Sequence, residues 1–389
     1  MMSTYHFQTV KHVIHGPGSL EQLSEKLPLL DTPLRRVVLV TQNAMHKLGV
    51  TEKVTARLKA AGIAVHMIDN VEIEPTLENI ERVFRDDVAP HTPDALIAIG
   101  GGSVLDAAKL FSVMLTNDTP LRDLLGVDKV RHPGIPMVLV PTTSGTGSEV
   151  TPNAIVTLPD EELKIGVVSR HLLPTLVILD PLLTFSLPRS ITAATGMDAF
   201  VHSLESFIST KANPISDAFA LESMRLIAGS IVEAYQQPDS VSARGNMLLG
   251  SMYGGLALTA AGTAAVHAMA YPLGGKFHVT HGVANAMLLP HVMAFNLDSC
   301  ADRLKRAACV CGVAESRDSD EVAAQKLIQQ IREWTATLNI PQDLRAFGVA
   351  EEHLADMAVA ASKVTRLMAN NPKALSLADI ESLYRCLLP

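Results

Sequence analysis

The sequence predicts a two-part chain: an α/β half with a mainly parallel sheet over residues 1–187, then an all-helical half over 188–389. Three observations carry this. The first half alternates short apolar runs with helix-spaced segments, the βαβα rhythm of a parallel sheet covered by helices. Strand-like runs stop after Asp180-Pro181 and Leu187-Pro188, and the remainder is rich in Ala, Leu and Met at helical spacing. A chain of 389 residues is also longer than one compact core usually organises, so two domains are expected.

Val37–Val40 is a short buried strand, the stretch from Thr51 to Ala61 a helix, and Ala64–Ile68 a second strand. Leu77 to Val88 reads as helix, Ala95–Ile99 as strand, and Ser103 to about Leu115 as helix. Met137–Val140 and Leu176–Leu179 are two more strands. The helical half is punctuated by Pro272, Gly274-Gly275, Pro290 and Pro341.

Composition narrows the function classes. Apolar residues make up 48% of the chain but aromatics only 4%, so a large core must be built from Ala, Leu, Val, Ile and Met. A net charge of -8 argues against a nucleic-acid partner, which needs a basic face. The four cysteines (Cys300, Cys309, Cys311 and Cys386) form no C-x-x-C pair and fit reduced thiols of the cytoplasm. The opening MMSTYHFQTVKHV lacks the apolar run of a signal peptide. No stretch approaches the ~20 apolar residues of a membrane span. The expectation is a cytoplasmic protein with no membrane partner.

Two glycine-bearing turns mark a ligand site. Gly100-Gly101-Gly102-Ser103 comes after one strand and opens a helix, whose first N–H groups favour an anion such as a pyrophosphate. The spacing is not G-x-G-x-x-G, and a tight turn without a ligand is the plainer alternative. A second turn, Pro141-Thr142-Thr143-Ser144-Gly145-Thr146-Gly147-Ser148-Glu149, comes after another strand and concentrates hydroxyls and glycines at the same sheet edge. Ligands of open α/β sheets bind beyond the carboxyl ends of the strands, so two such loops would frame one site.

The helical half holds a metal-like set. Asp198 and His202 stand four apart and share one helix face, beside the stripe of Met197, Phe200, Val201, Leu204 and Phe207. Alone, they could be a surface ion pair worth only ~0.2–0.5 kcal/mol. His267 and His281 flank Pro272, Gly274 and Gly275; in one unbroken helix they would lie ~21 Å apart, and the Pro-Leu-Gly-Gly break is expected to fold the chain back and join them. One carboxylate and three imidazoles suit a borderline divalent ion such as Fe(II) or Zn(II).

The long motifs GGGSVLDAAK (100–109), PTTSGTGSEVT (141–151), ATGMDAFVHSLES (194–206) and HAMAYPLGGKFHVTHGVANAMLLP (267–290), with Asn371-Pro372-Lys373 near the end, resemble those of the iron-containing (group III) alcohol dehydrogenases. The resemblance spans essentially the whole chain. It implies an N-terminal dinucleotide-binding α/β domain and a C-terminal helical metal-binding domain. It implies metal ligation by Asp198, His202, His267 and His281, and a pyrophosphate on Gly101, Gly102 and Ser103. Thr142, Thr143, Thr151, Asn153, Lys164 and Leu183 match nucleotide-lining positions. Asp106 and Lys109 belong to the glycine-turn helix motif and rank below the glycines, since a helix-surface Asp and Lys can simply be solvated or paired.

Three positions depart from the family pattern. Where many members carry an Asp after the first nucleotide strand, this chain has Val40-Thr41-Gln42; Gln42 can bond a ribose without repelling a phosphate, which admits NADP as well as NAD. Tyr271 stands where many members carry another His, and is the candidate catalytic group, although a phenol with a pKa near ~10 is a poor base at neutral pH. Glu74 replaces a frequent Asn.

The implied reaction is reversible hydride transfer between a nicotinamide and the carbon of a primary alcohol or aldehyde, with the metal as Lewis acid, in a homodimer or higher homo-oligomer. The alternatives are a lyase of the dehydroquinate-synthase type or a glycerol-dehydrogenase-like enzyme of the same superfamily. The former needs a Glu in its metal set and more basic residues in the helical half than this chain offers. No G-x-S-x-G elbow or H-E-x-x-H pair supports hydrolysis.

Overall fold

The computed structural model describes residues 4–161 and 163–389. The described residues divide into two compact units: one of residues 8–143 and 148–184, the other of residues 4–7, 144–147 and 185–389.

The first unit is built on a six-stranded sheet of β1 (His12–His15), β2 (Arg36–Val40), β3 (Ala64–Ile68), β4 (Ala95–Gly100), β6 (Met137–Pro141) and β9 (Leu176–Leu179). Its order is β1-β9-β6-β4-β2-β3, and every pairing is parallel. Parallel strands buried on both faces need continuous apolar runs, and all five residues from Ala95 to Ile99 are fully buried. Alternate side chains feed two layers. Val38, Val40, Leu96, Ala98 and Leu139 pack on one face, and Val37, Leu39, Ile97, Ile99 and Val140 on the other. A smaller sheet of β5 (Gly126–Val127), β8 (Leu163–Val168) and β7 (Asn153–Leu158) pairs β7 antiparallel to β8.

The strand order reverses between β2 and β4: the chain steps from β2 out to β3, then returns to the other side of β2 and continues through β6 and β9. Such a switch point opens a crevice at the strands' carboxyl ends. Gln42 and Gly101 stand at those two ends, just past Val40 and Gly100. The covering helices include α1 (Val50–Ala60), α2 (Leu77–Val83) and α3 (Gly102–Met114). The expected helix to Val88 continues beyond α2 as one wider turn over Phe84–Val88. The strands β1, β5, β7 and β8 are not among those the sequence predicts. Their runs are interrupted by polar residues and glycine, as in His12–His15 and Leu163–Val168, and lack the continuous apolar character of the predicted strands.

The second unit is helical: α4 (Arg189–Ile208), α5 (Pro214–Ala228), α6 (Val241–Ala261), α7 (Ala265–Phe277), α8 (His281–Val310), α9 (Asp320–Thr337), α10 (Leu354–Ser362) and α11 (Leu377–Arg385), with shorter turns between. Its core runs through Phe200, Leu204, Met224, Met269, Leu288 and Ile331. Glycines allow close crossings here. A Cβ on Gly147, whose φ is +59°, would lie 2.6 Å from the Cα of Gly255 on α6, and one on Gly145 would lie 2.6 Å from the Cβ of Thr195 on α4. Residues 144–147 are therefore packed as part of the helical unit although they fall within the second glycine turn.

The structure corrects the expected fold-back. Helix α7 runs through Pro272, Gly274 and Gly275 to Phe277, so the Pro-Leu-Gly-Gly stretch is not the break. The reversal comes at His278, which takes a left-handed conformation (φ +55°), with the Val279 N–H donating to the Leu273 carbonyl. Pro272 costs one intrahelical bond, but the complete burial of Leu273 in the core holds the helix together around it.

Candidate functional site

The helical unit brings Asp198, His202, His267 and His281 together. Asp198 and His202 lie one turn apart on α4, His267 in the first turn of α7, and His281 opens α8. Asp198 Oδ1 is 3.8 Å from Nε2 of His267, 3.8 Å from Nε2 of His281 and 4.0 Å from Nε2 of His202. Ligand atoms of Asp198, His267 and His281 all lie within 4.8 Å of one another. His202 joins this group through Asp198 and by stacking its ring on His267, with centroids 4.7 Å apart.

The outer faces of these groups are engaged. His202 Nδ1 is 3.2 Å from the Gly145 carbonyl, and His267 Nδ1 is 2.6 Å from Glu205 Oε2. An imidazole that donates through Nδ1 presents the Nε2 lone pair. The Asn285 amide, one turn after His281, donates to Asp198 Oδ1 at 2.7 Å and lies 3.2 Å from His281 Nε2.

The electrostatics favour a cation. Burial opposes ionisation of Asp198, but the imidazoles of His202, His281 and His267, with the Asn285 amide, outweigh it and hold the carboxyl below its ordinary pKa. Burial drives the His267 pKa well below its ordinary value, and the neighbouring imidazoles push the same way, so the ring stays neutral. Its Nε2 is buried without a hydrogen-bond partner. An unpaired buried lone pair is costly unless something accepts it. One carboxylate, three imidazoles and this orphaned nitrogen fit a divalent ion.

Two residues of this site are not apparent from the sequence. Glu205 is fully buried; its Oε2 accepts the Ala264 N–H at 3.0 Å and its Oε1 the Val266 N–H at 2.6 Å. Burial pushes its pKa up to about 7, against these donors. The usable signal is position, because Glu205 lies three residues after His202 and seven after Asp198 and so shares their stripe. Asn285 carries a similar signal, four residues after His281. Tyr271, the candidate catalytic group, lies beside the cluster, its ring centroid 6.2 Å from that of His281. Burial raises its pKa, so it stays a protonated phenol.

In the first unit, Gly101, Gly102, Ser103, Thr142 and Thr143 gather at the carboxyl ends of β4 and β6, whereas Gln42 follows β2, Lys164 lies on β8 and Leu183 follows β9. Gly101 is the N-cap of α3 in extended backbone, with Gly102 and Ser103 in the first turn. Thr143 sits against Gly101: a Cβ there would be 3.5 Å from Thr143 Cγ2. The Thr142 N–H donates to the Gly100 carbonyl at 2.9 Å, while its buried Oγ1 has no protein partner. Glu74, at φ +53°, joins two further candidates: its N–H donates to Ser103 Oγ at 3.0 Å and its carboxylate holds Lys164 Nζ at 2.8 Å. Gln42 occupies the N-cap position of the short helix Asn43–Lys47 without a side-chain capping bond. Leu183 lies in the apolar layer with Val140 and Ile178.

Asp106 and Lys109 are not solvated surface groups. Asp106 accepts from Ser148 Oγ at 2.5 Å and from the Ile155 N–H at 3.0 Å. Lys109 is fully buried and donates to Thr151 O (3.0 Å), Thr151 Oγ1 (3.3 Å) and Asn153 O (2.7 Å). Burial lowers its pKa, against Asp106 and the buried Glu149. The helical pattern around them is apolar on more than one face, so it could not show which side met protein. Lys109 thus positions the Thr151 and Asn153 backbone. Lys109→Met is expected to strand three acceptors and destabilise the protein by about 3 kcal/mol, read from urea unfolding; a change under about 0.5 kcal/mol would contradict this role.

Comparisons with known proteins agree with this geometry. Residues 11–181 match the family model "Iron-containing alcohol dehydrogenase", and residues 192–388 match "Fe-containing alcohol dehydrogenase family, C-terminal". The chain is 38% identical over 384 residues to the long-chain-alcohol dehydrogenase 1 of Geobacillus thermodenitrificans, covering 97% of this chain and 95% of that one. It is 30% identical to the NAD-dependent methanol dehydrogenase of Bacillus methanolicus, covering 95% and 96%. A solved 1,3-propanediol oxidoreductase superposes with a TM-score of 0.92 at 34% identity, covering 98% of this chain and 99% of that chain.

Proposed function

The chain belongs to the iron-containing alcohol dehydrogenase family, and from that membership we propose that it interconverts a primary alcohol and its aldehyde with a nicotinamide coenzyme, using Fe(II) held by Asp198, His202, His267 and His281. The enzyme is an oxidoreductase of the alcohol dehydrogenase class. The convergence of three Nε2 atoms on Asp198 Oδ1, with His267 Nε2 otherwise unpartnered, is the observation that carries the reading. The lyase and glycerol-dehydrogenase alternatives are not favoured.

When bound, the ion supplies a Lewis acid for the substrate oxygen, and the hydride is the nicotinamide's own chemistry. The protein's part is placement. Asp198 and the imidazoles would hold the cation, and the Asn285 amide fixes the Asp198 carboxylate. The first N–H groups of α3 receive the coenzyme pyrophosphate. The Thr142 hydroxyl and the Glu74-linked pair of Ser103 and Lys164 line the nucleotide site. Tyr271, kept protonated by burial, is suited to donate a hydrogen bond to the substrate oxygen and not to act as a base.

Gln42 carries no charge to oppose a 2′-phosphate, which supports use of NADP as well as NAD. Zn(II) would be accepted by the same ligands. No single helix among the described residues is long and apolar enough to cross a membrane, and free cysteines suit a reducing cytoplasm. The edge strand β1, with Val13 43% exposed, favours a homo-oligomer; a monomeric mass in sedimentation would remove that reading.

The test is a panel of aldehydes with NADH and NADPH on iron-loaded protein, monitored by coenzyme absorbance. Consumption is expected with at least one aldehyde and with both coenzymes. No consumption with any aldehyde in metal-replete protein rejects the proposal. Gln42→Asp should lower kcat/KM for NADPH by about 10- to 100-fold through like-charge repulsion, with little change for NADH. Equal losses for both would assign Gln42 no part in the choice.

A further inference from the structure

Glu205 is buried as deeply as any residue of the metal site, yet its nearer oxygen is 2.6 Å from the imidazole of His267, on the side away from Asp198. We infer that Glu205 is the positioning residue of the metal site: it fixes the tautomer and ring orientation of His267. The inference rests on the assignment of His267 as a ligand.

Geometry makes the case. Oε2 faces the Ala264 N–H and His267 Nδ1, while Oε1 faces the Val266 N–H. Two of these three neighbours are backbone donors that cannot reverse. The short contact to His267 Nδ1 is a hydrogen bond only if one side carries the proton. With backbone donors on both oxygens, Glu205 is set up as an acceptor, which places the shared proton on His267 Nδ1. The Nε2 lone pair then points at Asp198 Oδ1, 3.8 Å away.

One stripe of α4 therefore does three things. It supplies Asp198 and His202 as ligands and, at Glu205, the support for a third ligand on another helix. The two backbone bonds also seat the first turn of α7, where His267 sits.

Glutamine at this position has one acceptor oxygen for three donors. If its amide NH2 faces His267, the ring must accept through Nδ1 and place its proton on Nε2, where it blocks ligation. Groups of this kind behind a ligand typically change metal affinity by about 10- to 100-fold.

The experiment compares wild type, Glu205→Gln, Glu205→Asp and His267→Ala as full-length protein. Co(II) affinity is measured by chelator competition, with the visible Co(II) spectrum recorded and the melting temperature of each metal-free protein. Glu205→Gln is expected to weaken Co(II) about 10- to 100-fold with an altered spectrum, and Glu205→Asp to recover part of the affinity. Wild-type affinity and spectrum in Glu205→Gln would overturn the inference. If that variant fails to fold, ¹⁵N-histidine spectra of the metal-free wild type decide, with His267→Ala giving the assignment. A proton on Nδ1 of His267 is expected, and one on Nε2 overturns the inference. Full metal stoichiometry in His267→Ala would instead reject the ligand assignment, so the two failures are distinguishable.

Discussion

His267→Ala is expected to fold, to lose its metal ion and to lose alcohol oxidation with it. His267 is 3% exposed and its Nε2 has no protein partner, so nothing else in the helical unit takes over that atom's role. The substitution removes a ring stacked on His202 and edge-on to His281, with centroids at 4.7 and 5.3 Å, and leaves Asp198 facing two imidazoles. A Lewis acid is worth several kcal/mol at the transition state, so kcat/KM should fall on the order of 10³-fold or more. Metal content by elemental analysis and activity in iron-loaded samples should fall together. Bound metal at full stoichiometry, or activity within tenfold of wild type, contradicts the ligand set. The loss should also spare the first unit: coenzyme binding by the metal-free variant is expected within about threefold of the metal-free wild type.

Gly282→Ala tests how tightly the site depends on helix packing. Gly282 comes directly after His281, and a Cβ there would stand 2.3 Å from the Ala194 carbonyl oxygen and 2.8 Å from its carbonyl carbon. Both are backbone atoms of α4, which also carries Asp198 and His202. No flexible side chain can yield, so the start of α8 must withdraw on the order of 1 Å. That movement draws His281 from Asp198. Overpacking of this kind costs about 1–3 kcal/mol, and a displacement near 1 Å costs about 100-fold in rate. The expected signature is a larger loss in kcat/KM than in stability, with weakened metal retention. A variant with wild-type metal content and activity would show that α8 adjusts without moving His281.

The parallel sheet is legible in the sequence because its strands are uninterrupted apolar runs such as Ala95–Ile99, which a sheet covered on both faces demands. The four metal residues are legible as residue types, while the path joining them is not. Pro272 and Gly274-Gly275 look like a stop, but Leu273 anchors that turn in the core and His278 makes the reversal in a left-handed conformation that few non-glycine residues adopt. Glu205 and Asn285 are hidden because an acid and an amide within apolar helices resemble surface positions until their partners are known. Lys109 reads in the sequence as solvated or paired; it is in fact buried, paired with Asp106 at 3.6 Å and enclosed by three backbone and hydroxyl oxygens. The side-chain character of Gln42 is plain in the sequence, whereas its place beside the switch point needs the strand order.

The four residues 144–147 have a bearing on how such a chain can be cut and rejoined. They lie far upstream of Pro188, but the Gly145 carbonyl faces His202 Nδ1 and Gly147 leaves room for Gly255. A gene fragment beginning at residue 188 would encode every metal ligand and still omit the acceptor that sets one ligand's tautomer. Recombination by a single crossover at that apparent boundary would therefore join a metal-binding half to a foreign tetrapeptide, and only sequences that keep Gly145 and Gly147 in register would pass.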